Sequence, residues 1–462
     1  LKGKREKYLL QTIDNPIEGV SKAVVIVGSD KRGAIYGVYE LSKQMGVSPW
    51  YYWADVPADK HNTISIAAGS FTDGEPAVKY RGIFLNDEWP CLGNWAADTF
   101  GGFNSKFYEK VFELVLRLRG NFMWPAMWNS AFYDDDPMNG PLANEMGIVM
   151  STSHHEPMGM AQQDWKRRGT GEWNYATNGK VLRDFWQQGM ERCKDWEAVI
   201  TLAMRGDGDE AMSPDTNTKL LEKIVKDQRK IIEKVTGKKA KETPQVWALY
   251  KEVQDYYDKG MRVPDDVTLL LCDDNWGNVR RLPALDAKPR KGGYGMYYHV
   301  DYVGAPRNSK WMNITQIQRM WEQMNLTYLH GVREIWVLNV GDLKPMEYPI
   351  QFFLDQAWDP TQYNPDNLLK HTQDFCATQF GEEYAEEAAR LIDTYTKYNR
   401  RVTPEMLTQR TYSLENYNEW QRVKDDYKAL ELDALRLYYI LPEAYRDAFD
   451  QLVLFPIQAC AN

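Results

Sequence analysis

The feature that most constrains the fold is an alternation of strand-like and helix-like patterns that repeats between Tyr80 and Asp342. Eight short apolar runs of the kind that form buried strands occur there, and amphipathic patterns with helical spacing separate most of them. Strands that alternate with helices favour a parallel sheet, and a (β/α)8 barrel takes roughly 250 residues, close to the length of this segment. A doubly wound open sheet is the alternative, but it does not require eight strands that each end in polar residues. The strand-like runs lie at 80–86, 120–127, 147–153, 197–204, 245–250, 267–272, 294–300 and 334–340, and the helical patterns include 105–119, 177–194, 216–235 and 314–329.

The residues before the barrel predict a smaller unit of their own. Lys22–Gly28 has the composition of a buried strand. Ser29 or Asp30 can cap a helix that is apolar at spacings of three and four residues. We therefore expect an accessory α/β domain at 1–75.

The chain changes character after the barrel. It becomes charged and aromatic, with helical spacing from Tyr384 to Tyr398 and again from Tyr417 to Ala448. This composition predicts a helical domain packed beside the barrel and contains no motif for chemistry. The expected units are therefore the accessory domain at 1–75, the barrel at 76–360 and the helical domain at 361–462.

Composition narrows the class of protein. The net charge of −9 argues against nucleic acid or an anionic membrane as the main partner, and no apolar run approaches the roughly 18 residues of a membrane span. The five cysteines are scattered and predict neither a disulfide framework nor a zinc site. Seventeen Trp and 28 Tyr suit a core that also opens an aromatic-lined pocket. Because the chain starts at Leu1 rather than at Met, we expect it to be part of a longer protein.

Polar residues gather where the predicted strands end, which is where the active site of a (β/α)8 barrel lies. Seven strand ends present carboxylates, and indole or phenol rings stand beside them. Carbohydrate hydrolysis requires two carboxyl groups that act as general acid and general base, and aromatic faces that stack on the sugar rings. The segments concerned are 86–89, 153–156, 205–210, 250–252, 273–276, 299–302 and 339–342.

Structural roles compete with this interpretation. Asp87 with its neighbour Glu88 also suits the cap of a following helix, and Glu252 among bulky apolar residues suits a structural salt bridge. Trp124 fits the core as well as it fits a stacking platform. Asp273 and Asp274 point to opposite sides if the strand continues, so only one of them is expected to act in catalysis.

A metal-dependent hydrolase on the same barrel is another alternative. It would use His154 or His155 together with Asp207, Asp209 and His299. Adjacent His residues in a strand point to opposite faces, so at most one of the pair should face the pocket. The acidic loop 205–210 also suggests a calcium site, but its oxygen-ligand spacing is incomplete.

Taken together, the strand-end motifs resemble glycoside hydrolase family 115, the xylan α-1,2-glucuronidases. The resemblance extends over about 20–360, touches nearly every strand end and keeps the order of the family's motifs. The motifs are RGIFLNDEWP (81–90), NFMWPAMW (121–128), STSHHEPM (151–158), MRGDGDEAM (204–212), LLLCDDNWGNVRRLP (269–283), YYHVDYVG (297–304) and WVLNVGDLKPME (336–347).

The resemblance implies a reaction, a substrate and a location. The reaction is removal of glucuronic acid, or its 4-O-methyl ether, from the xylose backbone of glucuronoxylan, with inversion at the anomeric carbon and without a cofactor. The family extends into further C-terminal modules, so a homodimer is possible for the full-length protein. A polymeric plant substrate implies an extracellular or periplasmic enzyme. A carbohydrate-binding protein that has lost turnover remains an alternative, since the Trp and Tyr residues would suffice for binding.

The resemblance also implies site residues. Positions that match the family's active site are Asp87, Arg205, Asp209, Glu252, Asp273, Asn275 and Asn339, and further pocket contacts are His155, His299 and Tyr302, with Trp124 as a stacking candidate.

Roles within this set follow from the chemistry of inversion. Glu252 is the expected acid, because apolar neighbours would favour its protonated form, and Asp209 is the first candidate for the base, with Asp273 second. Arg205, with Arg281 or Lys344, is expected to pair with the uronate carboxylate. The two asparagines would hold ring hydroxyls, and Asp87 would bind a hydroxyl pair.

Overall fold

The computed structural model describes residues 1–58, 60–85, 89–206, 211–212, 217–302, 304–308 and 312–462. The predictions for Asp87 and Asp209, and for Glu88 and Asp207, lie outside the described residues.

The chain opens with an antiparallel sheet of strands β1 (Tyr8–Ile17), β2 (Val20–Gly28) and β3 (Ser70–Phe71), ordered β2-β1-β3 and accompanied by helix α1 (Lys31–Gln44). Asp30 caps α1 as predicted, since its carboxylate accepts the Gly33 N–H at 2.8 Å. The strand at Lys22–Gly28 is confirmed, but its burial was wrong: no residue of β2 is buried. β2 is an edge strand that α1 covers in part, for instance where Gly37 approaches Ile26.

Eight parallel strands follow and form the barrel. Neighbours in the sheet follow the chain order, and the last strand pairs with the first. The remaining gap, between the third and fourth strands, is closed by a parallel bridge of Met150 with Ala198 and by the Val199 N–H, which donates to the Met150 carbonyl at 3.0 Å. The (β/α)8 prediction is confirmed, although several strands are shorter than their apolar runs. The strands are β4 (Tyr80–Leu85), β5 (Phe122–Trp124), β6 (Val149–Met150), β7 (Ile200–Thr201), β8 (Gln245–Ala248), β9 (Thr268–Cys272), β10 (Tyr294–His299) and β11 (Ile335–Gly341).

Helices surround the barrel and connect most of the strands. The link between β9 and β10 is an exception, since residues 273–293 are all described and contain no helix. The helices are α2 (Cys91–Phe100), α3 (Ser105–Arg117), α4 (Phe132–Asp135), α5 (Asn139–Met146), α6 (Gln162–Arg168), α7 (Tyr175–Cys193), α8 (Thr218–Thr236), α9 (Glu252–Asp258), α10 (Ile317–Leu329) and α11 (Glu347–Trp358).

The C-terminal part of the chain is helical, as predicted. One boundary was wrong: the pattern from Tyr417 to Ala448 forms two helices, because Pro442 has no backbone N–H with which to continue the first. The helices are α12 (Leu368–Phe380), α13 (Glu382–Asn399), α14 (Glu419–Ile440), α15 (Glu443–Phe449) and α16 (Phe455–Ala461). Within the described ranges, no helix is long and apolar enough to cross a membrane.

A buried ion pair joins the N-terminal unit to the barrel. Arg81, in β4, donates to Glu6 at 2.6 Å, and neither side chain is more than 1% exposed. Asn121, just before β5, donates to the same carboxylate at 2.8 Å. Both barrel residues lie at the N-terminal ends of their strands, so the contact leaves the opposite end of the barrel available for a site.

Candidate active site

Aromatic side chains fill the interior of the barrel below the strand ends. Trp124 has no exposed surface, and its ring lies 5.4 Å from Phe84 and 5.2 Å from Tyr297, centroid to centroid. This position fits the core alternative for Trp124. Trp128, four residues later in the chain, is 37% exposed, and its ring centroid lies 6.3 Å from that of His155.

A second group of rings lies directly after the strands. The ring centroid of Tyr250, which follows β8, lies 4.6 Å from that of His154 and 5.9 Å from that of His299. Tyr297 is 4.4 Å from the same His299 ring. The ends of β6, β8 and β10 therefore meet through aromatic contacts, and these rings form the floor of the candidate site.

Asp273 and His299 form a buried pair across the ends of β9 and β10. The His299 Nδ1 lies 2.5 Å from one oxygen of Asp273, and the His299 backbone N–H donates to the other at 3.0 Å. The backbone N–H groups of Asn275 and Gly277 also donate to the Asp273 carboxylate, at 3.2 and 3.1 Å. Burial alone would lower the pKa of His299, but the Asp273 carboxylate outweighs it, so the pKa is raised. Asp273 thus lies beneath His299 and holds it in place.

Arg205 and Glu252 form the other charged pair of the site. The guanidinium donates through Nε and Nη2 to the two carboxylate oxygens at 2.8 and 2.7 Å. Arg205 is buried, whereas Glu252, the first residue of α9, keeps 20% of its side chain exposed. The apolar surroundings expected for Glu252 were therefore wrong, because the carboxylate faces the Arg205 guanidinium and forms the salt bridge that was the alternative for this residue.

The two adjacent histidines differ from the strand geometry that we assumed. His154 and His155 lie in a turn after β6, and their rings contact each other at 4.9 Å instead of pointing apart. Burial first, and the nearby cations second, hold the pKa of both imidazoles well below the usual range. In the part of the chain that the structure describes, no cluster of three or more His, Cys, Asp and Glu side chains could hold a metal ion.

The expected hydroxyl-binding residues lie around this centre. Asn339, in β11, donates to the Tyr297 hydroxyl at 2.7 Å, and Asn275 adopts a left-handed φ of 68° just beyond Asp273. Tyr302 stacks on Trp276 with ring centroids 3.9 Å apart. A cavity beside the barrel end is lined by Asn275, His299 and Tyr302 and, from the helical part, by Arg400, Thr403 and Glu405.

The two additional cations that we proposed for the uronate have other contacts. Arg281 is 53% exposed and forms an ion pair with Asp258 at the far end of α9. Lys344 donates to Gln451 of the C-terminal helical part at 2.9 Å. Neither contact involves Glu252 or the aromatic floor.

Asp301, a buried carboxylate after β10, belongs to one of the predicted strand-end segments but was not selected as a site residue. A Cβ on Gly341 would lie 3.1 Å from its Oδ2, so Asp301 occupies the space between the ends of β10 and β11. After burial, its charge is among the influences that raise the pKa of Tyr297. The signal was available, because residues two apart in a strand share a face and His299 was already selected.

Glu156 is a second acidic residue that we did not select. Its oxygens accept the Gln162 N–H at 2.8 Å and the Ser153 hydroxyl at 3.3 Å. Burial raises the pKa of Glu156 to about 7. The carboxyl lies directly after His155, so it supports the loop that carries the two histidines.

Solved structures similar to the chain include two kinds of glycoside hydrolase. One is a family GH115 4-O-methyl-α-glucuronidase, BtGH115A, described as specific for decorated arabinogalactans, with a TM-score of 0.90, 32% identity and coverage of 100% of this chain and 63% of that chain. Another is a family 89 glycoside hydrolase from Clostridium perfringens in complex with PUGNAc, with a TM-score of 0.57, 10% identity and coverage of 96% of this chain and 56% of that chain. A family 89 structure from the same organism with GlcNAc-α-1,4-galactose has a TM-score of 0.57, 11% identity and the same coverages. The family 89 likeness shows the fold alone.

The chain spans less than two thirds of the length of the GH115 structure that it matches. No curated protein matches it. A family model described as Glycosyl hydrolase family 115 matches residues 73–406, which include the whole barrel and the cavity residues from the helical part. With this match and the motifs in order at the strand ends, the chain belongs to glycoside hydrolase family 115.

Proposed function

We propose that this chain is the catalytic part of a glycoside hydrolase that removes α-1,2-linked (4-O-methyl)glucuronic acid side chains from glucuronoxylan, with inversion and without a cofactor. The single observation that carries the proposal is the Arg205–Glu252 pair, a partly exposed carboxylate held rigidly at the strand ends of a family GH115 barrel. Such a carboxylate is the central requirement of glycoside hydrolysis.

We propose that Glu252 acts as the general base. The two hydrogen bonds from Arg205 fix the carboxylate in place, and 20% of the side chain stays exposed, which suits the activation of a water molecule. Asp209 is then our candidate for the acid that protonates the leaving xylose oxygen, which reverses the roles expected from sequence. Inverting enzymes place the two carboxyl groups roughly 6.5–9.5 Å apart, with the water between the base and the sugar.

We propose a supporting role for Asp273. Its oxygens accept three backbone N–H groups and face the His299 ring, so it has no exposed surface with which to activate water. Asp273 orients His299, and His299 is the member of the pair that lines the cavity. Asn275, Tyr302 and Asn339 are proposed to hold hydroxyls, while Asp87 and His155 remain proposals from the resemblance.

A second substrate has support of its own. The GH115 structure at 32% identity is described as specific for decorated arabinogalactans, so glucuronic acid linked to that polymer is the alternative to glucuronoxylan. Both substrates present the same uronic acid to the site and differ in the leaving group.

The decisive experiment is proton NMR of each polysaccharide during digestion. Early appearance of the β-anomer of free (4-O-methyl)glucuronic acid from glucuronoxylan would support reaction, linkage and inversion together. Release only from decorated arabinogalactan would transfer the proposal to that polymer, and early appearance of the α-anomer would contradict inversion.

Two controls separate the remaining alternatives. Loss of release after treatment with a chelator, restored by added metal, would favour a metal-dependent hydrolase. Binding of polysaccharide without release by this chain, and equally by a longer form of the protein, would favour a carbohydrate-binding protein.

A further inference from the structure

A pocket opens between two neighbouring strands of the barrel, at the end where the candidate site lies. Strands β4 and β11 pair in parallel, and the pocket is built from the segment that follows β11 and from the start of α2, which follows β4. Its volume is about 210 Å³. We call it the β4/β11 pocket. Its lining residues are Trp53, Cys91, Leu92, Trp95, Asp342, Leu343 and Lys344.

The β4/β11 pocket is connected to the candidate site through β11. Residues 342–344 of the lining follow Gly341 directly, and the Gly341 N–H donates to the Asn339 side chain at 3.2 Å. Asn339 in turn donates to the hydroxyl of Tyr297, a ring of the aromatic floor, at 2.7 Å. A ligand that extends from Asn339 towards the rim of the barrel therefore reaches this pocket.

The walls of the pocket are mostly apolar and aromatic. The ring centroids of Trp53 and Trp95 lie 5.4 Å apart, with the ring planes inclined at 52°. The Trp53 indole N–H donates to the Lys110 carbonyl at 3.2 Å, so the ring offers its apolar surface to the pocket, and Trp95 is partly exposed. Indole rings pack well against the C–H groups of a pyranose. Pockets for drug-sized ligands measure roughly 300–1,000 Å³, so this smaller one suits a single sugar ring.

The lining favours a neutral sugar over a uronic acid. Burial of a carboxylate among apolar side chains costs free energy unless a cation pairs with it. The two charged residues of the described lining, Asp342 and Lys344, have opposite signs, so together they present no net charge that would attract an anion. Both types of side chain can hydrogen-bond to a sugar hydroxyl.

Gln451, from the helical part, fastens the walls to one another. Its side-chain amide donates to the Trp53 carbonyl at 2.9 Å, and its side-chain oxygen accepts from the Lys344 Nζ at 2.9 Å. The same amide donates to Glu347 at the start of α11. The N-terminal part, the segment after β11 and the helical part are thus held together, so the pocket is formed before a ligand binds, which lowers the cost of binding.

We propose that the β4/β11 pocket binds a neutral sugar ring of the polysaccharide main chain, beside the unit from which the uronic acid is removed. The inference rests on the proposed function, because it concerns the part of the substrate that remains after hydrolysis. When a uronic acid side chain enters the mouth of the barrel, the main chain that carries it must cross the strand ends. The pocket holds that chain and so favours a decorated polymer over a small glucuronide.

The kinetic test compares glucuronoxylan with an aryl α-glucuronide, which has no main chain. Trp95→Ala should lower the ratio of the two kcat/KM values, polymer to aryl glucuronide, by about tenfold through a higher KM for the polymer. Cys91→Trp should lower it too, because Cys91 is the exposed first residue of α2 and a large ring there fills the pocket without removing either indole. Trp420→Ala, which removes an exposed ring from α14, is the matched control and should keep the wild-type ratio.

Binding to the pocket is measured separately, by protection of the Cys91 thiol. Xylotriose, which carries no uronic acid, should slow the reaction of Cys91 with a maleimide in the wild type but not in Trp95→Ala, as followed by mass spectrometry of the peptide that contains it. Protection by a β-galactobiose in place of xylotriose would support the pocket and identify a galactan main chain. An unchanged kinetic ratio in both variants, or no protection by either oligosaccharide, would overturn the inference.

Failure of the proposed function is a separate result. If an oligosaccharide protects Cys91 in the wild type but not in Trp95→Ala, and no acid is released from any polysaccharide, the reaction is wrong and the sugar pocket stands. If acid is released from glucuronoxylan with the same kinetic ratio in the wild type, Trp95→Ala and Cys91→Trp, the reaction stands and the pocket inference is wrong.

Discussion

At the scale of single residues, the proposed chemistry depends most on Glu252. If Glu252 is the general base, Glu252→Gln should lower kcat by about 10²–10⁴ on glucuronoxylan and equally on an aryl glucuronide, because water must be activated whatever the leaving group. The measurement is kcat for both substrates, with the fold checked by circular dichroism. Retention of most activity on the aryl glucuronide alone would assign the acid role to Glu252 instead.

A substitution of Arg205 tests whether its contact with Glu252 positions the proposed base. Arg205→Lys keeps the charge but loses the two-pronged contact with Glu252, so kcat should fall by about tenfold or more while KM changes little. Arg281→Lys is the matched control, because its half-exposed ion pair is with Asp258 and not with Glu252, and it should leave both constants unchanged. A rise in KM for glucuronides but not for neutral glucosides would instead mean that Arg205 itself contacts the uronate.

At the scale of elements, Asp273 and His299 tie the end of β9 to the end of β10. The raised pKa of His299 reflects the Asp273 carboxylate acting against burial, so Asp273→Asn should lower the pKa of His299. With six histidines in the chain, the titration can be followed by NMR and assigned with a His299→Gln variant. A pKa of His299 that stays the same in Asp273→Asn would show that another group determines its charge.

At the scale of the whole molecule, a buried carboxyl lies where the helical part meets the barrel. Glu347, at the start of α11, accepts a hydrogen bond from Gln451, and burial raises its pKa to about 7 despite the nearby charge of Lys344. The folded chain therefore binds this proton more tightly than the unfolded chain. Its contribution to stability is fully present below about pH 4.5 and is lost as the pH rises through about 7.

Glu347→Gln should remove that dependence. The free energy of unfolding of the variant, relative to the wild type, should rise between pH 5 and pH 8 by up to about 3 kcal/mol, since the amide stays neutral and can still accept from Gln451. Denaturant unfolding at the two pH values measures the difference. Glu443→Gln, an exposed change at the start of α15, is the control and should show no such trend. A difference between Glu347→Gln and wild type that is constant with pH would contradict the raised pKa.

Much of the barrel could be predicted from the sequence because strand and helix patterns are local. All eight apolar runs contain a strand of the barrel, because a strand buried on both faces is a continuous run of apolar residues and can be recognised from the sequence. A cap at Ser29 or Asp30 was predicted for the same reason, because the cap and its helix are neighbours in the chain, and the structure selects Asp30. The exposure of β2 could not be predicted, because burial depends on which elements of the rest of the chain cover a strand.

The sequence by itself also determined that the residues following the strands lie at one end of the barrel, because parallel strands must present their C-terminal ends together. What each side chain does there was decided only by the tertiary structure. Glu252 and Arg205 are 47 residues apart, and Asp273 and His299 are 26 apart, so no local pattern shows that one carboxylate is paired with a guanidinium and the other is buried under an imidazole. These pairings fix charge and exposure, and through them the chemistry, because the state of an ionisable group is set by its neighbours in space.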